Sequence, residues 1–160
     1  HVKTEKSNLL RPTLNDFSSI VCFRALVVGV EDTMGAQAAG VVLKAAGRKR
    51  GADLARSLGF GDKDVDLQEA KDAMAKALGP EGTKLCYVNE IVQEDDAYIV
   101  SLSETICSAD EPQGSERKLT FTFGAVHGAL EVVTKTPLRG KQIGSVLRGQ
   151  DYDIIRFVPR

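Results

Sequence analysis

Four stretches of the chain carry apolar residues at the three- and four-residue spacing of an amphipathic helix. Over residues 17–33 this spacing predicts a helix, and Gly35 punctuates the chain after it. A second, small-residue-rich run over 36–58 predicts a long helix in which Gly47 is the expected site of any bend. The segments 65–79 and 120–134 predict a third and a fourth helix. The buried stripe predicted for the first helix consists of Ile20, Val21, Phe23, Leu26, Val27 and Val30.

Two further segments favour β-strands because they are rich in β-branched and aromatic residues. KLCYVNEIVQ (84–93) and AYIVSLSETIC (97–107) flank a short acidic turn and predict an antiparallel hairpin. A second hairpin is predicted from residues 143–147 and 152–158, with its loop at 148–151. Within the strand over 97–107, the alternation predicts one buried set, Tyr98, Val100, Leu102 and Ile106, and one exposed set, Ser101, Ser103 and Thr105.

The order of these elements indicates an α+β fold in which helices pack on an antiparallel sheet. The chain has 160 residues, of which 42% are hydrophobic, and this is enough for one self-sufficient core. Residues 1–12 are polar, end at Pro12 and are expected to form a loosely held arm. We therefore expect one domain over residues 13–160.

Charge and cysteine usage exclude several functional classes. The 21 basic and 22 acidic residues nearly cancel, so the sequence predicts no nucleic-acid partner. No run of apolar residues approaches the length of a membrane span. The three cysteines, Cys22, Cys86 and Cys107, are far apart and odd in number, which argues against a disulfide framework and indicates a reducing, cytoplasmic location. Lys44, Arg48, Lys49 and Arg50 form one short basic cluster, most simply a solvated helix face.

Three glycines lie within the predicted second helix. Gly40, Gly47 and Gly51 would each cost about 1 kcal/mol relative to alanine in a helix interior. Their presence indicates the close approach of another backbone or of a ligand. Helix-to-helix packing is the commoner of these two explanations.

No catalytic motif is recognisable along the chain. The glycine patterns lack the spacing of phosphate-binding and dinucleotide-binding loops, and no closely spaced donor pair begins a zinc site. A pair of His127 with Cys86 or Cys107 is conceivable, although nothing in the spacing brings these residues together. The sequence therefore favours a binding protein over an enzyme, leaves any cofactor unidentified, and predicts no metal site.

His127 is the residue with the most distinctive chemistry in the fourth predicted helix. It lies four residues after Phe123, at or beside the apolar stripe of that helix. One interpretation is a hydrogen-bonded or half-exposed structural histidine, and the other is a ligand to a tetrapyrrole or another planar apolar molecule. The candidate ligand-binding residues are Phe121, Phe123, Val126, His127 and Leu130.

Three segments resemble the 4-vinyl reductase domain, also called the hydrocarbon-binding domain, in its stand-alone form from photosynthetic bacteria. AAGRKRGADLA (45–55) resembles its A-G-R-x-x-G helix, FTFGAVHGALEVV (121–133) its late helix with two glycines four apart, and GKQIGSVLRGQDYDIIRF (140–157) its closing hairpin. The resemblance implies a fold shared with heme-based nitric-oxide sensors and TRAPP trafficking subunits. Many members carry two cysteines flanking the final turn, thought to bind metal, but Ser145 and Asp153 stand at those positions here.

The resemblance also implies a function. It suggests a homodimeric module that binds a hydrophobic small molecule of the tetrapyrrole class and is linked to pigment metabolism or photosystem assembly. Two alternatives remain open. One is a non-enzymatic dimeric interaction scaffold with a closed core, and the other is an accessory subunit of a vinyl reductase.

Overall fold

The computed structural model describes residues 10, 11, 13–16 and 19–160. Most of the predicted arm over 1–12, and the predicted start of the first helix at Phe17, lie outside these described residues. The predicted order of helices and hairpins is confirmed. The elements are α1 (Ile20–Met34), α2 (Ala36–Ser57), α3 (Leu67–Leu78), β1 (Tyr87–Glu94), β2 (Ala97–Ser103), α4 (Phe121–Thr134), β3 (Leu138–Gly144) and β4 (Asp153–Pro159).

Side-chain caps and one glycine set the helix boundaries. The hydroxyl of Ser19 accepts a hydrogen bond from the amide three residues on and begins α1. Gly35 separates α1 from α2 with a φ of 85°, a value that favours glycine, and its amide donates to the carbonyl of Glu31 at 2.9 Å. Asp66 caps α3, because its carboxylate accepts from the amide of Glu69 at 2.8 Å.

The two hairpins combine into one four-stranded antiparallel sheet in the order β1-β2-β4-β3. Strand β2 pairs with β4, for example Val100 opposite Ile155, and both of these residues are fully buried. The chain therefore adopts an α+β fold of four helices packed on an antiparallel sheet, as predicted.

The prediction that Thr105 lies on an exposed face is wrong. β2 ends at Ser103, and Glu104 takes a left-handed conformation with φ of 48°, so the alternation of the strand does not continue to Thr105. Thr105 is fully buried, and its hydroxyl donates to the carboxylate of Asp153 at 2.7 Å.

The second hairpin also differs from the prediction of a strand over 143–147. β3 begins earlier, at Leu138, and residues 146–148 form a single 3₁₀ turn instead of a strand. The cause is the hydroxyl of Ser145, which accepts a hydrogen bond from the amide of Leu147 at 3.1 Å and so caps a helical turn. Gly149, with φ of 89°, ends this turn.

The buried stripe predicted for α1 is wider than the stripe observed. Val21 and Leu26 are 73% and 61% exposed, whereas Val27 and Glu31 are buried. Helix α1 packs mainly against α2, so only one narrow face is covered. An uncovered apolar face, made of Val21, Cys22, Ala25, Leu26 and Gly29, remains on the opposite side.

Helix α4 lies at the centre of the molecule, and residues 122–130 are all buried. On one side it crosses α2 so closely that the backbones of the two helices are in contact. A Cβ atom added to Gly51 would lie 1.9 Å from the carbonyl oxygen of Ala125, and one added to Gly128 would lie 1.9 Å from that of Arg48. Gly47 and Gly124 are similarly restricted, because an added Cβ atom would lie 2.2 and 2.1 Å, respectively, from a backbone oxygen of the opposite helix. The expected close packing is therefore found at Gly47 and Gly51, whereas Gly40 faces open space.

This contrast predicts opposite effects of alanine at two glycines of the same helix. Gly51→Ala forces α2 and α4 apart and should lower the free energy of unfolding by about 1–3 kcal/mol or more. Gly40→Ala is the matched control. It meets nothing within 4 Å and should raise that free energy by up to about 1 kcal/mol through helix propensity. Urea unfolding followed by circular dichroism measures both, and equal effects would refute the close crossing.

Candidate ligand-binding cavity

A cavity of about 1010 Å³ lies where the four helices and the turn after α3 converge. Its apolar lining comes from four different parts of the fold. Helix α1 contributes Ile20 and Phe23, α2 contributes Gly51 and Leu54, the end of α3 and the following turn contribute Ala77, Leu78 and Leu85, and α4 contributes Phe121 and Ala125.

Two aromatic rings line this cavity beside one another. Phe23 and Phe121 meet edge to face, with 4.9 Å between ring centroids and 78° between planes. Both side chains are only partly buried, and both line the cavity. A ligand here could cover aromatic surface that the protein itself leaves open.

The mouth of the cavity is polar. Asn15, Ser19 and Thr83 contribute amide and hydroxyl groups, and the charged lining residues are Asp16, Arg50 and Lys84. The carboxylate of Asp16 is already bonded, since it accepts from the amides of Leu10 at 2.8 Å and Arg11 at 3.2 Å. The two cations are exposed.

Of the predicted ligand-binding residues, Phe121 lines this cavity, whereas Phe123, Val126, His127 and Leu130 do not. Val126 and Leu130 are fully buried. The rings of Phe123 and His127 lie 5.6 and 5.3 Å from the ring of Phe157 on β4, so side chains fill this interface between α4 and the sheet.

His127 has its hydrogen-bonding partners within the protein. Its Nε2 lies 2.7 Å from the carbonyl oxygen of Leu138, which requires the Nε2–H tautomer as donor, and 3.5 Å from Glu131. Burial lowers the pKa of the imidazole below its usual 6.5. Glu131 is held in turn by two bonds from Arg48, at 2.6 and 2.9 Å, and these contribute to the lowered pKa of that carboxyl. Arg48 is thus paired and half-buried, unlike the solvated residue predicted.

The cysteines lie apart from the contacts of His127. The thiol of Cys107 lies 3.8 Å from the hydroxyls of Thr120 and Thr122. Burial raises the pKa of the Cys86 thiol to about 12, so this thiol stays protonated near neutral pH and is a poor nucleophile.

A hydrogen-bonded polar cluster occupies Ser145 and Asp153, the positions that correspond to two cysteines in the family that the sequence resembles. Asp153 is fully buried, and its carboxylate accepts bonds from Thr105 at 2.7 Å, from Ser108 at 2.8 Å and from the amide of Val146 at 3.0 Å. Ser145 caps the neighbouring turn. Among the described residues, no group of three or more histidine, cysteine, aspartate or glutamate side chains could hold a metal ion.

Two other grooves are lined more heavily by charged side chains. One, of about 930 Å³, follows the α2–α4 seam and is bordered by Arg48, Lys49, Arg56 and Lys135 together with Asp53 and Glu131. The other, of about 1120 Å³, is bordered by the ion pair of Glu31 and Arg117. Apolar ligands favour concave sites with few polar groups, which distinguishes the cavity beside Phe23 and Phe121 from both grooves.

Sequence reasoning missed most of this cavity. Ile20, Phe23, Leu54, Leu78 and Leu85 carry the same helix or strand periodicity as core residues, and no sequence signal separates a core position from a cavity wall. These residues are far from Phe121 along the chain, and only the folding of the chain brings them beside it.

Comparison with known proteins gives the fold and no family. No family model matches the chain, and no curated protein matches it either. The phenol-responsive sensory domain of the transcription activator PoxR, solved with phenol, is similar in structure with a TM-score of 0.64 and 12% identity, over 91% of this chain and 77% of that chain. A trafficking protein particle complex subunit 3 from Naegleria fowleri, covalently bound to palmitic acid, gives a TM-score of 0.53 and 14% identity, over 89% of this chain and 97% of that chain. The predicted relation to the TRAPP fold is thereby confirmed.

Within the described part of the chain, no helix has the length and apolar character needed to cross a membrane.

The environment of His127 predicts a pH-dependent stability. Because the folded chain holds this pKa below 6.5, the unfolded chain binds a proton first as the pH falls. The free energy of unfolding should therefore decrease between pH 7 and pH 5.5, before Glu131 begins to titrate. In His127→Gln the amide can still donate to Leu138 but does not titrate, so the decrease should become smaller. Urea unfolding at several pH values measures this. The same dependence of the free energy of unfolding on pH in both proteins would contradict the prediction.

Proposed function

We propose that this chain is a non-enzymatic ligand-binding module that holds an apolar small molecule in the cavity beside Phe23 and Phe121. The observation that carries the proposal is the apolar lining drawn from four parts of the fold, with polar groups confined to the mouth. Ligand pockets typically have about 300–1,000 Å³, and the volume of about 1010 Å³ lies just above that range.

The similar fold of a phenol-responsive sensory domain supports ligand binding as the class of function. Among apolar small molecules we propose a tetrapyrrole as the ligand, and the size of the cavity is compatible with several fused or linked rings. Links to pigment metabolism, to photosystem assembly or to a vinyl reductase as an accessory subunit rest on the short motifs that resemble the 4-vinyl reductase domain. The proposal places the module in residues 13–160 and in the cytoplasm.

The proposed site retains Phe121 from the sequence-based candidates and does not require the other four. Phe123 and His127 pack against Phe157 of the sheet, and Val126 and Leu130 are fully buried. In this proposal His127 is a structural residue, because the carbonyl of Leu138 already accepts its Nε2–H.

The exposed apolar face of α1 indicates that the chain also forms a homodimer. Val21 and Leu26, with Cys22 and Ala25, present an apolar surface that no other described element covers. Contiguous exposed apolar surface of this kind marks interaction sites more often than free surface. We propose that a second copy of this chain covers it through the same face.

Blocking the cavity should abolish ligand binding without unfolding the protein. In Ala77→Phe a ring enters the cavity from α3, so the saturable fluorescence increase of the neutral apolar dye N-phenyl-1-naphthylamine should be lost. The matched control is Ala45→Phe, which adds the same ring on α2 in the charged groove and should bind normally. Displacement of the dye by phenol, protoporphyrin IX or a fatty acid then identifies the ligand class. Equal binding by both variants, or no binding by the unaltered protein, would refute the proposed cavity.

Dimerisation through α1 should be sensitive to a single charge. Leu26→Glu would bury a carboxylate in the proposed interface and should yield a monomer in light scattering. The same replacement at Ile143, which is also exposed but lies on β3, should leave the dimer intact. Cys22 gives a second measurement, since it is the one exposed cysteine among the described residues and lies on the proposed interface. It should react faster with a thiol reagent in Leu26→Glu than in the unaltered dimer. A monomeric unaltered protein would overturn the proposal.

A further inference from the structure

We infer that the ligand of this cavity is an amphipathic acid, with an apolar body inside and an anionic group bound at the mouth by Arg50 and Lys84. The inference rests on the proposed function and specifies the class of its ligand. It follows from the distribution of charge around the cavity, from the pairing of the basic residues of α2, and from the way the two cations are held.

The charge around the cavity is confined to the mouth and is positive on balance. The lining includes two cations, Arg50 and Lys84, and one anion, Asp16. Two backbone amides bind the carboxylate of Asp16, and Arg11 lies 3.8 Å away from it, so this negative charge already has partners. The positive charges of Arg50 and Lys84 are therefore the ones left for a ligand.

Arg50 differs from its neighbours on α2. Arg48 is paired with Glu131, and Lys49 and Arg56 are paired with Asp53 at 2.8 and 3.5 Å. The ion pairs formed within the described residues include neither Arg50 nor Lys84. The remaining cations of α2 are Lys44, which lies over the ring of Phe123 at 4.4 Å, and Arg50, which lies at the rim of the apolar cavity.

The position of Arg50 suits a group that binds an anionic head. It lies one helical turn before Leu54, which lines the cavity, so both residues are on the same face of α2. The aliphatic part of an arginine can cover apolar surface while its guanidinium stays in water. The planar guanidinium can donate two parallel hydrogen bonds to a carboxylate.

Lys84 is presented by an ordered turn between α3 and β1. Its amide donates to the carbonyl of Gly79 at 3.1 Å, and the preceding amide of Thr83 donates to Ala77 at 2.9 Å. Lys84 itself takes a left-handed conformation with φ of 59°. Two backbone bonds thus hold the lysine on a turn that contributes Thr83, Lys84 and Leu85 to the cavity wall.

Two classes of ligand have this chemistry, namely fatty acids and tetrapyrroles that carry carboxylates. They share an anionic group attached to a large apolar body, whereas an uncharged phenol lacks it. The cavity recognises the shared feature, and paired probes with the same apolar body, one with and one without the anionic group, separate the contribution of the head from that of the body.

The experiment compares acids with their neutral counterparts by displacement of N-phenyl-1-naphthylamine at pH 7.4. The pairs are octanoic acid with octanamide, and protoporphyrin IX with its dimethyl ester. For at least one pair, the unaltered protein should bind the acid about tenfold more tightly than the neutral compound, the effect expected of a pair of charge-assisted contacts at an exposed mouth. Arg50→Gln/Lys84→Gln should lose this preference and retain the affinity for the neutral compound. The control Lys49→Gln/Arg56→Gln removes the same charge from α2 and should keep the preference.

The outcomes separate this inference from the function on which it rests. If the dye binds but acids and neutral compounds compete equally, the inference is wrong and the proposed cavity stands. A preference that survives Arg50→Gln/Lys84→Gln, or that the control variant also loses, likewise overturns the role of the two cations. If the dye does not bind at all, the proposed function fails together with the inference. The pair for which the acid is preferred identifies the class of ligand.

Discussion

The backbone crossing of α2 and α4 is the constraint on which the rest of the fold depends. Gly51 and Gly128 let carbonyl oxygens of the opposite helix approach to distances that any side chain would prevent. This contact places α4 between α2 and the sheet, where it is buried on all sides. Because Gly51 and Ala125 belong both to the crossing and to the cavity, the same contact that centres α4 also sets the inner wall of the proposed binding site.

Helix α1 is attached to this frame in a different way. Much of its apolar surface faces outward, and part-buried ion pairs connect it to the segment before α4. Glu31 pairs with Arg117 and accepts a hydrogen bond from Thr120 at 2.8 Å, while Arg24 pairs with Glu111 at 3.1 Å. Charged contacts depend more on geometry than apolar contacts do. One face of α1 lines the cavity and the opposite face is the proposed dimer surface, so the two proposed activities share a single helix.

Much of the fold, and little of the site, could be predicted from the sequence. The caps at Gly35 and Asp66 and the periodicity of α3 are local signals, so the helix order follows from the sequence alone. The wide stripe of α1 contains more apolar residues than one neighbour can cover, and periodicity does not say which of them stay exposed, as Val21 and Leu26 do. Likewise, the sequence does not distinguish Gly40, which faces open space, from Gly51. The cavity depends on convergence of distant segments, which no local pattern records.

The cluster around Asp153 indicates how this chain fixes its closing hairpin. A buried carboxylate loses its hydration, and this cost is offset only when several donors replace the water. Thr105 and Ser108, after β2, and Val146, in the turn before β4, supply three such donors. They connect the two hairpins at the junction where members of the resembled family place two cysteines. Hydrogen bonds of this kind depend on neither thiol oxidation nor metal supply, so the closing hairpin is fixed independently of both.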